Sequence, residues 1–171
     1  MSPWWRKFVL TSHVTVSVGW LGSVATFLVL AAVGLAGGDD GLARATYQVM
    51  EPIGWYVIVP LSIASLVTGV VQALGSPWGL LRHYWVIFKL LINLLATVVL
   101  FVHMKPIAYL ADMAAAHGMS GGAGRVQVQI LVDSAAAVLV LVIATVLSVY
   151  KPRGRTGFRA GWFSRRREQP A

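Results

Sequence analysis

The chain contains no cysteine, so disulfides, zinc–thiolate centres and thiolate-ligated iron–sulfur clusters are excluded within its 171 residues. Any metal it holds must use histidine, methionine or carboxylate. Acid is also scarce: six Asp and Glu stand against fourteen Lys and Arg, for a net charge of +8. Only 12% of residues are charged while 57% are apolar, too little polarity to clothe a water-soluble domain. The implied solvent is a bilayer. No Ser or acid stands at motif spacing from a His, which leaves no nucleophilic triad and no assigned catalytic residue. No internal repeat is apparent, and no polar segment is long enough for a separate soluble domain.

A bilayer core about 30 Å thick requires ~20 helical residues. Four apolar stretches meet that length: 8–35, 53–74, 84–103 and 126–149. The expected fold is therefore all-α, a four-helix transmembrane bundle within residues 1–150, followed by a basic tail over 151–171. The first stretch follows Arg6 and Lys7 as a signal peptide would, but it exceeds an h-region of ~7–15 residues and further spans follow, so it reads as retained. Gly37, Gly38, Asp39 and Asp40 break the first helix; Gly75, Ser76 and Pro77 end the second. Pro60 removes a backbone hydrogen bond and should kink the second helix, freeing the carbonyl of Tyr56. A short helix over 107–116 is expected on the outer membrane surface, before the flexible run 118–124.

Orientation follows from the basic residues, which concentrate on the cytoplasmic side of short loops. With the N-terminus inside, Arg6, Lys7, Arg82, Lys151, Arg153, Arg155, Arg159, Arg165, Arg166 and Arg167 are cytoplasmic, and only Arg44, Lys105 and Arg125 lie outside. Both termini are thus expected in the cytoplasm. Asp39, Asp40, Glu51 and Asp112 fall outside. Trp4, Trp5, Trp78, Trp85 and Tyr150 mark the inner interface and Trp55 the outer one. In the tail, Phe158, Trp162 and Phe163 interleave with arginines, a pattern suited to anionic lipid rather than nucleic acid, at ~1 kcal/mol per surface-bound Lys or Arg.

Ionisable groups within a membrane are costly and normally face the bundle interior, which makes each a functional candidate. His13, Lys89, His103 and Asp133 are those present. On the first helix His13, Ser17, Trp20, Val24 and Phe27 share one face; on the third, Lys89, Asn93, Ala96, Leu100 and His103 do the same. Gly19 with Ser23 and Gly22 with Thr26 are small-xxx-small pairs suited to close packing. Ser62, Ser65, Gly69 and Gln72 lie along one face of the second helix, where mutual hydrogen bonding accounts for them. Lys89 and His103 are separated by roughly 21 Å at the helical rise, so two layers are expected. The inner one gathers His13, Lys89 and the rim residue His83; the outer one pairs His103 with Asp133, for which Gln129 is an alternative partner. Set against these roles, Lys89 can snorkel to the cytoplasm, His103 can be a hydrated interfacial His, and His117 reads as exposed.

The segments His13-Val-Thr-Val-Ser-Val-Gly-Trp20-Leu-Gly22, Trp78-Gly-Leu-Leu-Arg82-His83-Tyr-Trp85-Val-Ile-Phe-Lys89-Leu and Leu147-Ser-Val-Tyr-Lys151-Pro-Arg-Gly154 resemble an uncharacterised bacterial family of small integral membrane proteins. That resemblance implies a multi-pass protein of the bacterial inner membrane and brings no activity. More remotely, the early His before a Trp-containing turn and the Lys opening a Leu-rich helix are similar to two further families. The copper-resistance D family implies copper movement across the membrane. The membrane-bound protoporphyrinogen oxidase family implies haem b with functional His and Lys, roles that would fall on His13 and Lys89; its Arg and second His are absent after Trp20.

Three functions are therefore weighed. In the leading one, a small haem or redox accessory protein uses His13 with His83 or Lys89 as the haem site. The second is copper or cation handling, with Met50, Met104, Met113 and Met119 near His103 and His117 on the outer side. The third is a cofactor-free assembly partner for other membrane proteins or for a second copy of the chain.

Overall fold

The computed structural model describes residues 2–36, 40–75, 84–116 and 124–150. Within them all regular structure is helical: α1 (Pro3–Ala36), α2 (Asp40–Ile53), α3 (Val59–Leu74), α4 (Tyr84–Ala116) and α5 (Gly124–Tyr150), with a π-helical turn, Gly54–Ile58, joining α2 to α3. α2, the π turn and α3 form one continuous helical run, Asp40–Leu74. The protein thus presents four helices long and apolar enough to cross a membrane. α5, the shortest at 27 residues, is about 40 Å long at the helical rise, more than the hydrocarbon thickness.

Apolar side chains surround these helices instead of forming one inward stripe. Val14, Val18 and Val29 on α1, Leu94, Leu95, Val98 and Val102 on α4, and Val132, Leu139 and Val146 on α5 all point outward. In water such a belt would drive aggregation; in lipid it is the required solvent-facing surface. This is a multi-pass membrane protein. A narrower inward strip makes the core, with Trp20, Val24, Phe27 and Ala31 of α1 packed with Ile58, Val59, Ile130 and Leu141.

The second span begins earlier and the third ends later than the apolar runs predict. α2 starts at Asp40, not near residue 53, and α4 continues past His103 to Ala116, through Pro106. Packing explains both. Ala43, Thr46, Tyr47 and Met50 lie at helical spacing on the buried face of α2, against Met104, Ile107, Leu110 and Ala114 of α4. The segment 107–116 is helical as expected, but it is part of α4 and buried against α2 instead of resting on the membrane surface. Pro106 lacks its own N–H and leaves one carbonyl free, a local loss that this shared apolar face outweighs.

Pro60 stands at the start of α3 but inside the continuous run, so its missing N–H leaves a carbonyl of the preceding turn without its helical partner. The widened turn precedes it, with Val59 N–H bonded to the carbonyl of Gly54. The expected distortion is therefore a π turn upstream of the proline. Of the two small-residue pairs, Gly19 faces Leu61 of α3, while a side chain at Gly22 would meet only open space. Ser23 and Thr26 donate to the carbonyls of Gly19 and Gly22 in their own helix. α1 ends at Ala36 and α3 is followed by Gly75; residues 37–39, 76–83, 117–123 and the tail 151–171 lie outside the described residues.

Two glycines permit close approach with different tolerance. A Cβ at Gly34 would stand 2.7 Å from Cζ of Tyr47, a rigid ring only 1% exposed. At Gly54 it would meet the terminal methyl of Met104, also at 2.7 Å, which can swing aside. Gly34→Ala should therefore lower stability by roughly 1–3 kcal/mol, while Gly54→Ala stays within about 1 kcal/mol of wild type. Thermal unfolding in detergent followed by circular dichroism measures both.

Candidate functional site

Lipid supplies no hydrogen bonds, so hydroxyl groups in a membrane helix usually donate to the carbonyl one turn back. Thr68 donates to Ala64 at 2.6 Å and Ser148 to Ala144 at 3.0 Å. With its hydrogen engaged, each oxygen can only accept from a neighbouring helix. Thr68 Oγ1 lies 3.1 Å from His13 Nδ1, so Nδ1 carries the imidazole proton and donates it. Nε2 is then left as a lone pair. Ser148 Oγ accepts from the amine of Lys89, which also stands 3.5 Å from His13 Nε2.

The cluster thus joins α1, α3, α4 and α5 near the end of the bundle that carries Pro3 and Tyr150. Sequence periodicity places His13 inward on α1 with Trp20, Val24 and Phe27, and all four are buried. Gly69 makes room for the imidazole: a Cβ there would lie 3.1 Å from Cε1 of His13. Ser17 and Ser65 hydrogen-bond at 2.8 Å between α1 and α3 one turn further in. A cleft of about 480 Å³ opens beside these groups, lined also by Gln72, Asn93 and Thr145. Lys89 does not extend outward as a snorkelling lysine; its amine turns to α5 and α1.

A second cleft, of about 300 Å³, lies toward the other end, between Phe27, Ile58, Leu100, Ile130 and Val140. Its wall includes His103 and Asp133, whose Nε2 and Oδ2 are 2.6 Å apart. The structure pairs His103 with Asp133, not Gln129 with Asp133. Oδ2 makes no hydrogen bond among the described residues, so this is a close charge contact and no more. His103 Nδ1 lies 2.7 Å from the carbonyl of Val99, which can only accept, so Nδ1 bears a proton. Nε2 stands against the Asp133 carboxylate, so each imidazole nitrogen has an oxygen neighbour.

His13 and Lys89 come together as the helical spacing suggests; His83 and His117 lie outside the described residues. Met50 and Met104 are fully buried packing groups, Met113 is partly buried, and Met119 lies outside the described residues. Among the described residues no group of three or more His, Asp or Glu converges on one point. Sequence reasoning missed Thr68 and Ser148, although both carry a signal: Thr68 is three residues from Ser65, and Ser148 continues the buried series Ile130, Ser134, Leu141 and Ala144. No protein-family model, curated protein or solved structure matches the chain.

The partners imply an order of coupling. In double-mutant cycles on detergent unfolding, Lys89→Met with Ser148→Ala should show about 1.5–3 kcal/mol, the range for a hydrogen bond to a charged group. Lys89→Met with His13→Ala should show less, because 3.5 Å is the outer limit of such a bond.

Proposed function

We propose that this protein holds haem b in the cleft beside His13 and serves a haem or redox accessory role in a bacterial inner membrane, with both termini in the cytoplasm. The observation that carries this reading is the state of His13: its Nδ1 proton is held by Thr68 and its Nε2 lone pair is presented between helices. A ligating histidine is normally oriented in this way, through a hydrogen bond from its other nitrogen. Gly69 supplies the space against α3, and Leu10, Val14, Leu66 and Leu90 provide apolar wall in the same cleft. The amine of Lys89 complements a haem propionate, and Ser148 offers it a resting partner when it moves off Nε2. Haem b, when bound, supplies one-electron chemistry at iron. The chain's own residues orient the ligand, provide counter-charge and keep out water.

The orientation rests on the charge distribution, with ten basic residues at the terminal end and three at the other. The basic, aromatic tail would then lie on anionic lipid of the cytoplasmic leaflet. Copper handling draws less support, since Met50 and Met104 serve as core and both nitrogens of His103 are engaged.

The visible spectrum of detergent-purified protein, expressed with added haem precursor, tests the reading. A Soret band is expected, lost in His13→Ala and kept in His103→Ala. A colourless preparation would overturn it. Stoichiometric copper without a Soret band would favour the second function, and absence of both would favour the cofactor-free assembly role.

A further inference from the structure

The scarcity of acid has a local consequence at Lys89. The described carboxylates, Asp40, Glu51, Asp112 and Asp133, stand on α2, α4 and α5 away from the end that holds Pro3 and Tyr150. Among the described residues the one ion pair is His103 with Asp133, at the other cleft. Lysines inside membranes normally pair with an acid or reach the interface. Lys89 does neither. Its neighbours are a serine oxygen and an imidazole lone pair, both neutral. Among the described residues it is the one cationic side chain on the cleft wall, beside the amide groups of Gln72 and Asn93.

We infer that the Lys89 ammonium receives the oxyanion head, carboxylate or phosphate, of an amphiphile that enters this cleft from the membrane. The missing counter-charge is supplied by the ligand instead of the chain. The head lies against Lys89, with amide donors at hand, and the apolar body lies along Leu10, Val14 and Leu90, which line the same cleft. A neutral amphiphile would leave the ammonium unpaired. This inference deepens the haem reading by naming the ligand's charge, since haem propionates belong to the same class, but it does not require iron.

Haem-free protein in nanodiscs of zwitterionic lipid is the material for the test, with dodecanoate and its methyl ester as probes. Wild type should bind the acid roughly tenfold or more tighter than the ester, the ratio a charge-assisted hydrogen bond supplies. Lys89→Met should erase that preference and Lys89→Arg should keep it. Wild type that prefers the acid yet shows no Soret band when expressed with haem precursor fails the haem reading alone, which distinguishes that failure from failure of the oxyanion site. Competition by added phosphatidate would assign a lipid headgroup as the source, and its absence a carboxylate; either supports the site. Equal binding of acid and ester to wild type would overturn the inference whatever the variants do. So would a preference that survives Lys89→Met.

Discussion

Everything in this bundle is arranged around the inability of lipid to accept or donate a hydrogen bond. A hydroxyl shut away from water finds its acceptor most readily in its own helix, and Thr46, Thr97, Ser134 and Thr145 all return to the carbonyl four residues back. That local rule has a long-range effect. By consuming the hydroxyl hydrogen it turns Thr68 and Ser148 into pure acceptors toward other helices, which fixes the imidazole tautomer of His13 and gives the Lys89 amine a berth. The chemistry of the cleft thus descends from backbone satisfaction, without any group dedicated to tuning it.

Charge adds a second layer of organisation. Among the described residues the carboxylates Asp40, Glu51, Asp112 and Asp133 stand away from the His13 cluster, so the two polar clusters differ in kind. His103 stands against a carboxylate, Asp133. His13 and Lys89 have neutral oxygen neighbours and, among the described residues, no acid beside them. The first cluster sits on a mostly apolar wall, the second on one that also carries Gln72, Asn93 and Thr145.

Four spans were legible because apolar runs of membrane length leave few alternatives, and the inward stripe of α1 was legible because His13, Trp20, Val24 and Phe27 keep strict helical spacing. The ends of the second and third spans were not. Asp40, Arg44, Glu51 and Lys105 make those segments look like loop, yet their polar residues occupy one face while Tyr47, Met50, Met104 and Leu110 hold the other. Amphipathic helices that protrude from a membrane follow the rules of water-soluble packing, which hydropathy of a span does not register. Pairing of His13 with Lys89 could be anticipated from depth alone, whereas Thr68 and Ser148 required knowing which faces of α3 and α5 meet.

Trp20 and Leu141 line both clefts and are the residues the two have in common. The two side chains are a wall held in common, one indole and one branched chain. Shortening either would add space to both clefts at once, so the length of occupant that each can take is not set independently of the other.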